Sequence, residues 1–104
     1  MPVITFGMKA DKPSLNGYGN IYRAPVQRNA PALYKGVKMR PTLRSAPVTL
    51  DPGLYVYWVQ LQGGDGAFTI KAYRDGEEQP FKEYSSDTAK SGFHGINFVF
   101  AVAR

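Results

Sequence analysis

The sequence lacks cysteine altogether and contains a single histidine, His94. Without thiols the chain has no disulfide framework and no thiol nucleophile, and one chain cannot assemble the common His/Cys zinc sites. The tripeptide Gly17-Tyr18-Gly19 lacks the next glycine of a dinucleotide-binding loop, and no P-loop pattern occurs. The sequence therefore predicts neither a metal nor another cofactor.

Long apolar runs are also missing. No stretch approaches the roughly 20 apolar residues that span a bilayer. The N-terminus has no basic segment followed by a long apolar one, which a signal peptide would show. We expect a protein made in the cytoplasm without a membrane partner, and its later assembly into a particle is left open.

Catalytic residues in a usable arrangement are absent as well. A Ser-His-Asp set can be written from Ser86, Asp87 and His94, but these residues lie on one polar stretch without a nucleophile elbow or an oxyanion motif. Carboxylate pairs such as Glu83 with Asp87 occur in many unrelated loops. We expect that the protein is not an enzyme.

Acidic residues are scarce in the first half of the chain. Residues 1–50 carry eight Lys and Arg against Asp11 alone, whereas residues 51–104 carry five basic and seven acidic side chains. This asymmetry favours an acidic partner such as nucleic acid, an anionic glycan or an acidic face of a neighbouring subunit. Alternatively, the charge only keeps the surface of a small protein solvated. The basic residues that we assign to a binding surface are Arg23, Arg28, Lys35, Lys38 and Arg40.

Helical periodicity does not occur, and 11 glycines and 8 prolines are spread through the chain. Alternating runs, beginning with Val3–Lys9, predict six to eight short strands. We therefore predict an all-β fold over residues 1–104, a single antiparallel β-sandwich that is jelly-roll-like or a partly open barrel. Residues 11–47, an extended Pro/Gly-rich segment, are predicted to form either a basic arm or a set of short edge strands, without a central strand.

The strongest local pattern is a predicted hairpin. Residues 54–61 and 68–73 are rich in β-branched and aromatic side chains and flank the turn Gly63-Gly64-Asp65-Gly66. A loop with an even number of residues directs the larger apolar set to the core. That set consists of Tyr55, Tyr57, Val59, Leu61, Phe68, Ile70 and Ala72.

The same register places Val56, Trp58, Lys71 and Tyr73 together on the opposite face, with Trp58 across from Lys71. An exposed cluster of this composition is typical of an interface or of a surface that stacks on sugars. Alternatively, residues 11–47 cover this face and make Trp58 part of a second core layer.

The C-terminal run Ile96–Ala103 alternates large apolar and smaller residues. Because small side chains can lie under another layer, this run is predicted to be a central, buried strand.

Three functions remain open. The leading hypothesis is a non-catalytic structural protein that binds its own subunits, another protein or a larger particle, as a virion accessory or capsid-decorating protein does. The second is a carbohydrate-binding module that uses Trp58 and Tyr73. The third is nucleic-acid binding through the basic N-terminal half.

Overall fold

The computed structural model describes residues 2–104, and this part of the chain is nearly all β. It contains the strands β1 (Val3–Ala10), β2 (Asn16–Arg23), β3 (Tyr34–Met39), β4 (Val48–Thr49), β5 (Gly53–Gln62), β6 (Ala67–Arg74), β7 (Lys82–Asp87) and β8 (Gly95–Val102), with the short helix α1 (Thr88–Ser91) before β8. All strand pairs are antiparallel. The first sheet has the order β4-β1-β6-β7, and the second sheet has the order β3-β2-β5-β8.

The core lies between the two sheets. Successive side chains of a strand point to opposite faces, so every second residue of each strand reaches the core. The ring of Phe6 in β1 lies 4.5 Å from that of Tyr57 in β5 and 5.4 Å from that of Phe100 in β8, centroid to centroid. These contacts join the inner faces of both sheets, and they confirm the prediction of an all-β, sandwich-like fold.

The predicted hairpin between residues 54–61 and 68–73 is wrong. Strand β5 pairs with β2 and β8 in the second sheet, whereas β6 pairs with β1 and β7 in the first. The connection Gly63–Gly66 therefore crosses between sheets. Leu61 and Phe68 are both buried as expected, but they enter the core from opposite sides, because alternation specifies the buried face of a strand and not its partner.

The crossing connection packs closely against the β1–β2 loop. Gly63 has a φ of 91°, and a Cβ at this position would lie 2.1 Å from the carbonyl oxygen of Ser14. The Ser14 hydroxyl donates a hydrogen bond to the carbonyl of Gly63 at 2.6 Å. A glycine is thus required both by the backbone conformation and by the close approach.

Residues 11–47 include an interior strand, contrary to expectation. Strand β2 lies between β3 and β5, and β3 forms one edge of the second sheet. The prolines of this segment all fall outside the two strands. Within β2, a Cβ on Gly19 would lie 1.7 Å from the carbonyl oxygen of Trp58, so this glycine permits the close approach of β2 to β5.

The C-terminal run forms β8, but the prediction that it is central is wrong. Its inward residues, such as Phe98 and Phe100, are buried as expected. However, β8 pairs only with β5 and occupies the edge of the second sheet. The outward residues Asn97, Val99 and Ala101 are exposed.

Candidate interaction surface

The outer face of the second sheet carries the candidate site. We call it the Trp58 face and define it by the outward residues of three strands: Tyr18, Asn20 and Tyr22 in β2, Leu54, Val56, Trp58 and Gln60 in β5, and Asn97, Val99 and Ala101 in β8. The strand register places Trp58 between Asn20 and Asn97, and it places Val56 between Tyr22 and Val99. The face thus consists of cross-strand rows.

An apolar groove of about 500 Å³ runs over these two rows. It is lined by Tyr22, Val26, Val56, Trp58, Asn97 and Val99. Trp58 and Val99 are each 43% exposed, and Val26 is 51% exposed. Val56 faces outward as predicted, but it is only 8% exposed, so the predicted exposed cluster is wrong for this residue. Among the described residues no charged side chain lines this groove, which gives it the composition of an interface centre.

Gly95 determines where the indole ring of Trp58 can lie. A Cβ on Gly95 would be 3.3 Å from two atoms of the six-membered ring of the indole, Cζ2 and Cη2. The ring therefore covers the backbone of β8 at a position that has no side chain. This contact supports part of the ring, and Trp58 remains 43% exposed.

Polar side chains lie on the other side of Trp58. A second groove is lined there by Tyr18, Asn20, Gln60 and Gln62 together with the indole. The Asn20 Oδ1 accepts a hydrogen bond from the backbone N–H of Gly36 at 3.0 Å, so this amide is held in place. Trp58 thus separates an apolar groove from one rich in amide groups.

Lys71 and Tyr73 do not belong to this surface. They lie in β6, on the outer face of the first sheet, so the predicted pairing of Trp58 with Lys71 is wrong. Tyr73 is only 8% exposed, because the Arg44 guanidinium carbon lies 3.5 Å above the ring centroid. The Pro-rich segment therefore covers Tyr73 and leaves Trp58 open.

The five basic candidate residues occupy different surroundings. Lys38 lies in β3 opposite Tyr18, and Lys35 is exposed on the same strand. The guanidinium of Arg23 lies 5.2 Å from the ring centroid of Tyr55. Arg28 is exposed in the β2–β3 connection, and Arg40 lines a pocket with Arg44 and Tyr73 beside the first sheet. Arg40 is thus grouped with the covered Tyr73 and not with Trp58.

The residues considered for catalysis have structural contacts. Asp87 caps α1 by accepting a hydrogen bond from the Ala89 backbone N–H at 2.9 Å. His94 Nε2 lies 2.7 Å from Asp65 Oδ1, and this hydrogen bond lowers the pKa of the Asp65 carboxyl. Within residues 2–104, no group of three or more His, Cys, Asp and Glu side chains is arranged to hold a metal ion.

Comparison with known proteins adds no assignment: no family model, no curated protein and no solved structure matches the chain. In the part of the chain that the structure describes, none of the helices has the length and apolar character needed to cross a membrane. Sequence reasoning missed Tyr22, Val26 and Val99 as neighbours of Trp58. Tyr22 and Val99 share outward parity on strands paired with β5, which becomes visible only once that pairing is known, and Val26 reaches the groove from the β2–β3 connection.

Proposed function

We propose that this chain is a non-catalytic assembly protein that binds copies of itself through the Trp58 face, alone or as part of a larger particle. Virion accessory and capsid-decorating proteins are examples of this class. The observation that supports the proposal is the uncharged apolar groove around Trp58, Val56 and Val99. Exposed apolar patches with aromatic side chains are typical of protein interfaces.

The contrast with Tyr73 strengthens this argument. On the first sheet the outward ring of Tyr73 is covered by Arg44, whereas the ring of Trp58 on the second sheet is 43% exposed. The protein carries a net charge of +5, which opposes self-association in general. Because no charged side chain within residues 2–104 lines the groove, a second copy that covers it buries no unpaired charge from the groove lining.

Trp58 is the only tryptophan, so intrinsic fluorescence reports on this surface directly. We expect the emission to shift to shorter wavelength, and iodide quenching to fall, as the protein concentration rises from micromolar to millimolar. Emission and quenching that do not change over this range would contradict the proposal.

A pair of matched variants locates the contact. Val26→Lys places a charge in the groove, and Leu43→Lys places one at an exposed apolar position beside the first sheet. Both retain Trp58 as the reporter. The concentration dependence should disappear in Val26→Lys and persist in Leu43→Lys; loss in both variants, or in neither, would argue against the groove.

Glycan binding is the second candidate, favoured by the amide groups that flank the indole. Gln60 and Asn97 lie on either side of Trp58 on this face, and sugars commonly stack on an aromatic ring while amides bind their hydroxyls. A blue shift on adding oligosaccharides to dilute protein would support it. A blank glycan array for the wild-type protein would eliminate it.

A further inference from the structure

The described part of the chain has four sheet edges, and three of them carry features that discourage pairing with another strand. Strand β4 has two residues. Strand β7 presents Lys82 and Glu83, and β3 presents Lys35 and Lys38 with a register shift against β2. By contrast, β8 has eight residues, no charge, no proline and an unbroken register.

The outer side of β8 has a definite set of free backbone groups. Leu61 donates its N–H to the carbonyl of His94 at 2.8 Å, which sets the alternation of the β5–β8 ladder. The even-numbered residues of β8 therefore bond to β5, and Asn97, Val99 and Ala101 direct their N–H and C=O groups outward. Within residues 2–104, none of these outward backbone groups has a hydrogen-bond partner. The next outward carbonyl, that of Ala103, accepts a hydrogen bond from the Arg74 side chain at 2.7 Å, so the set of free groups ends there.

We propose that β8 pairs antiparallel with β8 of a second copy, about a two-fold axis at Val99. The pairing would join the two second sheets, four strands each, into one continuous sheet. In this register Val99 faces its own counterpart, and Asn97 faces Ala101 of the other copy. The inference rests on the proposed self-assembly and adds a contact at the sheet edge, where the two Trp58 faces adjoin without covering each other.

A second copy fits this edge because the edge is self-complementary. Each outward residue offers one donor and one acceptor, so three opposed pairs form about six hydrogen bonds. Across the pairing, the larger Asn97 faces the smaller Ala101. Each copy has a net charge of +5, but β8 contains no charged residue, so no charges oppose each other along the paired strands. An isologous contact of this kind closes at a dimer.

The pairing also joins the two grooves. Val56 lies beside Val99 in the strand register, so the axis would extend this row to Val99 and Val56 of the other copy. Both Trp58 faces would lie on the same side of the joined sheet. The groove residues near β8 would thereby become central in the dimer, whereas they lie at an edge in one chain.

Amide hydrogen exchange on the full chain, measured by NMR at low and high concentration, tests the pairing. We expect the amides of Asn97, Val99 and Ala101 to be protected at least tenfold more at high concentration, with the mass approaching twice 11.5 kDa. The outward amides of Glu83 and Ser85 on β7 serve as the control and should exchange equally fast at both concentrations.

Variants at one position complete the test. Val99→Pro removes an N–H that makes no hydrogen bond within the single chain, and proline is tolerated at such edge positions. Val99→Lys introduces like charges at the two-fold axis without altering the backbone. Both should weaken dimerisation at least tenfold, and Val99→Thr, which retains the branched shape and the N–H, should not.

The outcomes separate the two proposals. A dimer with unprotected Val99 amides that survives Val99→Pro would overturn the β8 pairing and leave assembly through the Trp58 face standing. A wild-type chain that stays monomeric at millimolar concentration would overturn the assembly function and the pairing with it.

Discussion

Replacement of Gly19 by alanine tests the strand arrangement that creates the Trp58 face. The added Cβ would lie 1.7 Å from the carbonyl oxygen of Trp58, whereas real Cβ contacts essentially never fall below 3.0 Å. Strands β2 and β5 must therefore move apart by more than an ångström. Such a shift takes neighbouring N–H···O bonds out of their range of about 2.7–3.2 Å.

The expected cost combines two effects. Overpacking costs about 1–3 kcal/mol, and each weakened ladder bond costs about 1 kcal/mol. Gly19→Ala should thus lower the free energy of unfolding by about 3–4 kcal/mol, measured by urea denaturation. At about 4 °C per kcal/mol for a domain of this size, Tm should fall by about 12 °C or more.

Gly36→Asn is the matched control. Gly36 has a φ of 66°, and no atom lies within 4 Å of the place that a Cβ would occupy; asparagine tolerates this conformation. Its cost should stay below about 1 kcal/mol. A Gly19→Ala protein as stable as Gly36→Asn would refute the close approach of β2 and β5.

Two further variants test buried and charged contacts. Tyr57→Phe removes a hydrogen bond of 2.6 Å to the Val37 carbonyl and should cost about 1 kcal/mol. Burial raises the pKa of Tyr57, so the wild-type protein should lose stability as pH rises above about 10, where the tyrosine of the unfolded chain ionises. In denaturation measured as a function of pH, the Tyr57→Phe variant should lose less stability over this range. The hydrogen bond from His94 lowers the pKa of Asp65, so its contribution is present at neutral pH and is lost in acid. The stability difference between wild type and Asp65→Asn should therefore shrink below about pH 4; a difference that grows in acid would contradict this assignment.

The buried faces of the strands were predictable from the sequence, and their partners were not. Alternation correctly placed Tyr57 and Val59 inside and Trp58 outside. It carries no information on whether Gly63–Gly66 turns back within a sheet or crosses to the other one. The crossing connection contacts Ser14, which is distant in the sequence.

The candidate site was predictable only in part for the same reason. Val56 and Trp58 lie on one strand, so their common face followed from parity alone. The separation of Tyr73 from them depends on strand order, and its cover by Arg44 depends on the course of a loop. The edge position of β8 could not be predicted, because an apolar strand without charged residues is normally an interior strand.

Sedimentation equilibrium over a micromolar-to-millimolar range tests the central claim, self-assembly through the Trp58 face, most directly. The mass should rise reversibly from 11.5 kDa to twice that value or more for the wild type, and it should rise less for Val26→Lys, which can still pair through β8. A wild-type protein that remains at 11.5 kDa throughout the range would contradict the claim.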